Sequence, residues 1–470
     1  MNSVISNKLL CTTGLFATLT MLSFSALAQS TVEPDFNYFM NEVQPIFLAK
    51  RGDNVRCIQC HTRSSSFRLQ ALEEGALFWS EAQSRMNFES ALTMVNAGAH
   101  PLQSRFLTHP LSLSAGGDPF HGGGKHFSSQ DDPEWRIMAD WVAGATARRE
   151  PTAVVERIIQ TNAAGADASI IDPATNKVVG MITDIEIPHG ITSAPDGSQI
   201  YITNESLHSL DIVDSRTLRV KRRIPLSGRP NNVSVTADGS KVYVAIMEMP
   251  GTIDVIDVAS MTLQKSIPVN GAIHNVYVTP DSKYAVGGSI HTRTINVVDT
   301  ATDELVWELE MDQGIRPMTF DTHPDGSTKN IYVQLSGLHG FVVIDFNSRE
   351  EIARIEHPAV EGYEAHYDGL QGAPTHGLGV TPDGKTLWST SKVYGHAYIH
   401  SLPDFKEIGK VFIGQHPEWI TFTGDGKTAY IGTAGDNTTV AVDVATLTLI
   451  EAIEVGQVPK RLGTVLMAID

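Results

Sequence analysis

Cysteine is scarce: the chain holds three in 470 residues, and Cys11 lies in the extreme N-terminus, leaving Cys57 and Cys60. So few exclude a disulfide-built scaffold. Without a second Cys-x-x-Cys, a four-cysteine zinc cage is excluded too. Positive charge is also short, with 35 Lys and Arg against 53 Asp and Glu and a formal net charge of −18. That field argues against nucleic acid or an anionic membrane as partner; it keeps an exported protein soluble and suits a basic redox partner. No long apolar run follows the N-terminus, so no membrane span is expected after it. Two further motifs are missing, a nucleotide-binding glycine fingerprint and a catalytic triad. The Gly122–Gly124 run has neither a preceding strand nor P-loop spacing.

Residues 1–28 have the make-up of a cleaved secretory signal. Lys8 is the lone charge, an apolar stretch runs from Leu15 to Leu27, and Ala26-Leu27-Ala28 precedes Gln29. A periplasmic location is expected. Cys57-Ile58-Gln59-Cys60-His61 then carries the attachment pattern of a c-type haem, two thiols for the porphyrin vinyls and a proximal imidazole. Phe36, Phe39, Met40, Val43 and Phe47 share one helical face ahead of it. Helical patterns also cover about 69–97, and a last helix starts at Asp132-Pro133-Glu134 and carries Ile137, Met138, Trp141 and Val142. Between them lie His109-Pro110-Leu111 and Phe120-His121-Gly122-Gly123-Gly124-Lys125-His126-Phe127.

With Trp141, this block resembles the haem domain of planctomycete-type cytochromes, which sets an expected all-α cytochrome c domain at 29–150. In single-haem cytochromes c the second axial ligand comes from the loop ahead of the last helix. The resemblance therefore implies His121, with His126 and Met138 as alternatives. On residue chemistry alone, His121 equally suits the cap of a glycine-rich turn, and Met138 a core position.

From about residue 155 the pattern changes to short β-branched runs separated by turns, recurring about every 40–45 residues as in a propeller blade. A strand, an Asp-Gly type turn and a second strand recur around Asp196-Gly197, Asp238-Gly239, Asp281-Ser282, Asp325-Gly326, Asp383-Gly384 and Asp425-Gly426. A third strand ends near an Asp each time, as in Ile212-Val213-Asp214 and Val255-Ile256-Asp257. Residues 155–183 supply three strands of a further unit, and Pro459–Ala468 its missing inner strand, which hides both sheet edges. The expected fold of 151–470 is an all-β, seven-bladed propeller closed by its C-terminal strand. The units resemble the YVTN family of β-propeller repeats, a likeness that speaks to fold and not to function.

That family's blade anatomy implies that the approach to each inner strand and the loop between strands two and three share one face. The lead position of the inner strand is His189, Asn231, His274, Met318, His376 and Glu418, with Lys460 in the split blade. His416, Arg229 and Arg316 come two residues before that position in their blades. The strand-two-to-three loops add His208, His291, His339 and His396, and the long connection 357–375 adds His357, His366, Tyr363, Tyr367 and Asp368. Any one of these is ordinarily a hydrogen-bonded loop residue. Imidazoles crowded together favour neutral forms, which suits them to metal binding or proton transfer.

Nitrous-oxide reductase and thiocyanate dehydrogenase use propeller-face histidines for copper, and the chain is similar to them in blade count and histidine density. It is similar to cytochrome cd1 nitrite reductase in domain order, where a channel-mouth His like His189 would ligate haem d1. These resemblances imply a periplasmic oxidoreductase. A small, anionic substrate would react at a histidine-held metal, copper favoured, with Arg229, Arg316 and Lys460 orienting it and Glu418 or Tyr367 moving protons. The c-haem would exchange electrons with a soluble cytochrome or cupredoxin. Haem d1 in the mouth is one alternative, and a non-catalytic electron-transfer or docking protein on a propeller scaffold is another.

Overall fold

The computed structural model describes residues 34–51, 55–63, 66–96, 100–362 and 373–470. The expected leader 1–28, Cys11, and Tyr363, His366, Tyr367 and Asp368 of the long connection lie outside the described residues.

From Ala153 the chain forms seven four-stranded antiparallel sheets. Six use consecutive strands, for example Pro188–Ser193, Gln199–Asn204, Ser209–Asp214 and Arg219–Pro225. The seventh joins the chain ends, with Pro459–Ile469 paired to Ala153–Asn162, followed by Asp167–Asp172 and Lys177–Thr183. First strands of successive sheets touch one another round a closed ring, and the C-terminal strand completes it. This is the seven-bladed propeller that the repeats and the two complementary chain ends specify.

The turns show why the Asp-Gly signal marks each blade. Asp238 accepts hydrogen bonds from the Thr236 hydroxyl at 2.6 Å and the Ser240 amide at 3.0 Å, while Gly239 takes φ +71°. Those donors hold the Asp238 carboxyl down at about 2. Thr279 with Asp281, Thr381 with Asp383, and Thr423 with Asp425 repeat the contact. Middle strands then bury apolar side chains between neighbouring sheets, as with Val297, Val333 and Val342, each fully buried.

The helical segment ahead of the propeller is less regular than its sequence pattern. Residues 36–47 are helical and bury Phe39, Val43 and Phe47. The run widens to a π-turn at Phe39–Val43 and tightens to a 3-10 turn at Gln44–Phe47, where Pro45 cannot donate to an α-helical ladder. Within 69–97 only Glu81–Leu92 is regular helix, capped by Ser80, because Gly75 at φ +77° turns the chain before it. The last helix, Pro133–Val142, begins as expected, with the Asp132 side chain accepting from the Glu134 and Trp135 amides. Phe39, Phe88 and Phe106 pack around Trp141 at 5.1–6.0 Å.

This segment lies against the outer strand Arg219–Pro225. Asp184, 8% exposed and at φ +69°, accepts from Arg56 at 2.9 Å and Arg223 at 3.0 Å, with Lys50 3.8 Å away. Glu42 pairs with Lys221 at 2.6 Å, and the Arg222 guanidinium lies 3.8 Å over the Phe78 ring. Among the described residues no helix is long and apolar enough to cross a membrane.

Candidate functional site

Two places gather the residues singled out in the sequence. The first is a cavity of about 410 Å³ in the helical segment, within the range of cofactor pockets. Cys57, Cys60 and His61 form one side, and Arg105, His109, His121, His126 and Met138 also line it. Ile46, Phe47, Phe67, Phe106 and Phe127 supply apolar walls. Cys57–His61 is a single helical turn, so both thiols and the imidazole project from one face.

The His61 Nδ1–H donates to the Phe67 carbonyl at 2.8 Å, the kind of contact that fixes the tautomer and orientation of a ligating imidazole. Opposite it, the His121 Nδ1–H donates to the Gly124 carbonyl inside the glycine-rich turn. The two ring centres are 6.2 Å apart, with planes 24° from parallel. An imidazole nitrogen about 2 Å from a metal puts its ring centre about 3 Å away, so two rings flanking one ion have centres about 6 Å apart. His126 meets His121 edge-on at 5.5 Å, and burial pushes it down to about 4. Met138 is 3% exposed on the last helix and forms part of the wall. His109 has both nitrogens engaged, by Asp118 and by Arg105. Thiol pair, two facing imidazoles and apolar walls fit a covalently held haem.

The second place is the mouth of the propeller channel. His189, His274 and His376 converge there, but a residue one step past the counted position is at the centre. Arg461 is fully buried and donates from Nε to His189 Nδ1 at 2.7 Å and from Nη2 to the side-chain oxygens of Asn231 and Asn275. Its guanidinium lies 3.7 Å over the Trp419 ring. Burial lowers it to about 10, so it stays charged at neutral pH. A neutral His189 that accepts at Nδ1 carries its proton on Nε2, which faces Glu205 at 3.7 Å. Burial, then Arg461 and Lys460, hold His189 well below the usual histidine range; burial, then Arg461 and Arg316, do the same to His274.

His376 differs. Its Nδ1 lies 2.8 Å from Glu418 Oε2, and Lys392 holds Glu418 Oε1 at 2.8 Å. Burial alone would raise Glu418, but His376 and Lys392 overcome it and keep the carboxyl well below its ordinary range. Burial lowers His376 to about 3 despite that carboxylate. A proton on Nδ1 would face Glu418 and leave Nε2 its lone pair, while burial keeps the ring neutral.

The remaining histidines scatter. His208 and His291 are exposed. His339, His357 and His400 pack together away from the axis, with His357 stacked on Tyr398 at 4.3 Å and 5.2 Å from His400. His396 bonds the Tyr394 carbonyl at 2.6 Å and packs on Phe412. His416 takes φ +48° just before the strand Pro417–Phe422. Met318 is core. Arg229 reaches Glu205 at 3.6 Å, and the Arg316 Nε donates to the Ser336 hydroxyl at 2.9 Å. Among the described residues no group of three or more His, Cys, Asp and Glu could hold a metal ion.

No family model matches the chain. A stretch of 54 residues is 41% identical to hydrazine synthase subunit beta of Kuenenia stuttgartiensis, covering 12% of this chain and 14% of that protein's length. A solved structure of Kuenenia stuttgartiensis hydrazine synthase superposes with a TM-score of 0.51 at 22% identity, covering 61% of this chain and 97% of that one. The periplasmic gluconolactonase of Pseudomonas aeruginosa superposes with a TM-score of 0.54 at 17% identity, covering 67% and 99%. These structural likenesses establish what the chain shares with solved proteins: the propeller.

Proposed function

We propose that the protein is a periplasmic, haem-c-containing oxidoreductase whose small-molecule substrate meets the propeller at its channel mouth. The observation that carries the haem assignment is the cavity in which His61 and His121, each tied by Nδ1 to a backbone carbonyl, face one another across 6.2 Å beside Cys57 and Cys60. Cys57 and Cys60 would hold the haem through thioethers, and His61 and His121 would be the residues that ligate its iron. His126 and Met138 are then wall residues. When bound, the haem supplies one-electron redox chemistry. The aromatic and aliphatic wall keeps water from the site, and the two carbonyl contacts hold the ring tautomers.

At the mouth, Arg461 and Lys392 provide buried positive charge, and Glu418 lies against a His376 that burial keeps neutral. A cationic guanidinium at the centre of the ring supports an anionic or hydrogen-bonding substrate there. The copper reading draws on histidine number alone, and the haem d1 reading on a His189 whose Nδ1 is engaged by Arg461. A soluble redox partner is proposed to exchange electrons at the cavity, where Cys60 and Phe120 are exposed. The short match to a hydrazine synthase subunit supports a chain that works together with partner chains.

Expression in a bacterium that matures c-type cytochromes, followed by intact mass, metal content and optical spectrum, tests the assignment. One covalently attached haem and one iron per chain are expected, with the haem lost in Cys57→Ala/Cys60→Ala and the spectrum of a bis-imidazole iron altered in His121→Ala. A chain that matures without haem would end this reading.

A further inference from the structure

The cavity beside Cys57 and Cys60 is backed by a buried ion pair. The side chains of Arg51 and Glu134 are 7% and 6% exposed and pair directly. Glu134 is in the first turn of the last helix, and Arg51 comes just after the helical run 36–47. Such a pair adds little to the stability of a fold, because the cost of desolvating two charges offsets most of their attraction.

The pair is oriented. Besides Glu134, the Arg51 guanidinium touches two parts of the cavity wall. It donates from Nη2 to the Ile46 carbonyl at 3.4 Å and lies 5.0 Å from the centre of the Phe127 ring. Ile46 and Phe127 both line the cavity that Cys57 and His61 share. Glu134 borders a narrow gap at the seam with the propeller, together with Arg219 and Lys221. The positive end of the pair thus lies behind the cavity wall and the negative end toward the propeller. Burial pushes the Cys57 thiol up to about 11, and of the two charges Arg51, which opposes the rise, acts on it more strongly than Glu134.

We propose that the Arg51–Glu134 pair sets the reduction potential of the haem, Arg51 raising it and Glu134 lowering it. This rests on the reading of the cavity as a haem site and names how that site is tuned. One-electron reduction of a haem adds a negative charge to the cavity, and in a buried medium charges act on one another more strongly than in water. Arg51, at the wall, favours the reduced state. Glu134 opposes it from the seam and holds the guanidinium in place. Burial raises the Glu134 carboxyl, while Arg51 in contact and Arg219 across the seam favour its charged form. Through Arg219, the outer strand Arg219–Pro225 of the propeller acts on the same pair.

The test is a spectroelectrochemical titration of the full-length haem-loaded protein at neutral pH and constant ionic strength, read at the haem absorption band. At a given applied potential Arg51→Gln should lower the ratio of reduced to oxidised protein about ten-fold, a midpoint about 59 mV lower. Glu134→Gln should move the midpoint up. Arg51→Lys keeps the charge and should stay close to the parent. Lys385→Gln, on an exposed turn, should leave the midpoint unchanged. An unchanged or raised midpoint in Arg51→Gln overturns the proposal, as does an unchanged or lowered one in Glu134→Gln, or an Arg51→Lys that falls as far as Arg51→Gln. Should a single variant fail to fold, Arg51→Met/Glu134→Leu decides, since apolar replacement of a whole buried pair is tolerated. A midpoint below the parent's supports Arg51 as the nearer charge, and an unchanged or raised one overturns it. A chain that takes up no haem ends both readings, whereas a haem-loaded chain whose midpoint ignores these substitutions ends this one alone.

Discussion

At the residue scale, the propeller's histidines matter chiefly for being neutral. His376 and His400 are buried and pushed down to about 3 and about 4, burial being the main cause in each. An unfolded chain protonates both near 6.5, so between that value and the folded ones it binds more protons than the native state. Their contribution to stability is therefore complete above pH 6.5 and is lost as pH falls toward 4. Between pH 7 and 5 each costs about 2 kcal/mol by linkage. Urea unfolding at the two pH values should show this fall, and His400→Gln should reduce it by about that amount. A variant with the same pH dependence as the parent would mean that His400 is not held neutral.

Arg461 shows at the same scale where sequence reasoning stopped. The count of inner-strand positions puts His189, His274, His376 and Lys460 on one ring, whereas the contact with His189 is made by the neighbouring Arg461. In the structure, pairing shifts register at the head of each inner strand, between Pro188 and Ile191, Ile273 and Asn275, and Pro417 and Ile420. A bulge breaks the two-residue alternation, so adjacent side chains reach the axis together. Asn275, Trp419 and Arg461 enter the mouth that way, one step past the counted residue. A search for bulges, marked by prolines at Pro188, Pro230, Pro417 and Pro459, was the available signal. His339, His357 and His400 were equally illegible as a cluster, since their meeting depends on how neighbouring sheets pack.

At the scale of elements, the blades were legible because the turn is a local device: its Asp accepts from the amide two residues on, and at Asp238, Asp281, Asp383 and Asp425 also from a Thr hydroxyl two residues back. The closure was legible from complementarity of the chain ends. Its energetic weight is a separate matter. The strand Pro459–Ile469 pairs along nearly the whole of Ala153–Asn162 and brings Arg461 to the axis. Ending the chain at Val458 leaves an unpaired inner edge, the arrangement that invites association between copies. Such a truncation is expected to elute as aggregate on size exclusion and to lose the cooperative thermal transition. A monomer with an unchanged melting temperature would show that the ring closes without it. The helices were less legible, because Pro45 and Gly75 act through backbone geometry that periodicity does not register.

At the scale of the molecule, the cavity and the channel mouth are tied through one carboxylate. Arg56, the residue before Cys57, meets Asp184, which also holds Arg223; Arg223 in turn reaches Asp211 at 3.2 Å, and Asp211 accepts from Asn204 at 3.0 Å. The next residue, Glu205, faces His189. Removing the Asp184 charge leaves Arg56 and Arg223 with too little compensation in a half-dry interface, a loss of about 3 kcal/mol when a buried pair is broken. Asp184→Asn should therefore loosen the helical segment from the strand Arg219–Pro225. Trypsin should then cut the connection at Arg148 and Arg149 faster, because the contacts of Arg148 with Glu42 and Asp214 depend on the same docking. The propeller itself, whose ring closes without this contact, should keep its melting temperature. Unchanged cleavage in Asp184→Asn would mean that Glu42, Lys221 and the Arg222–Phe78 contact suffice to hold the two parts together.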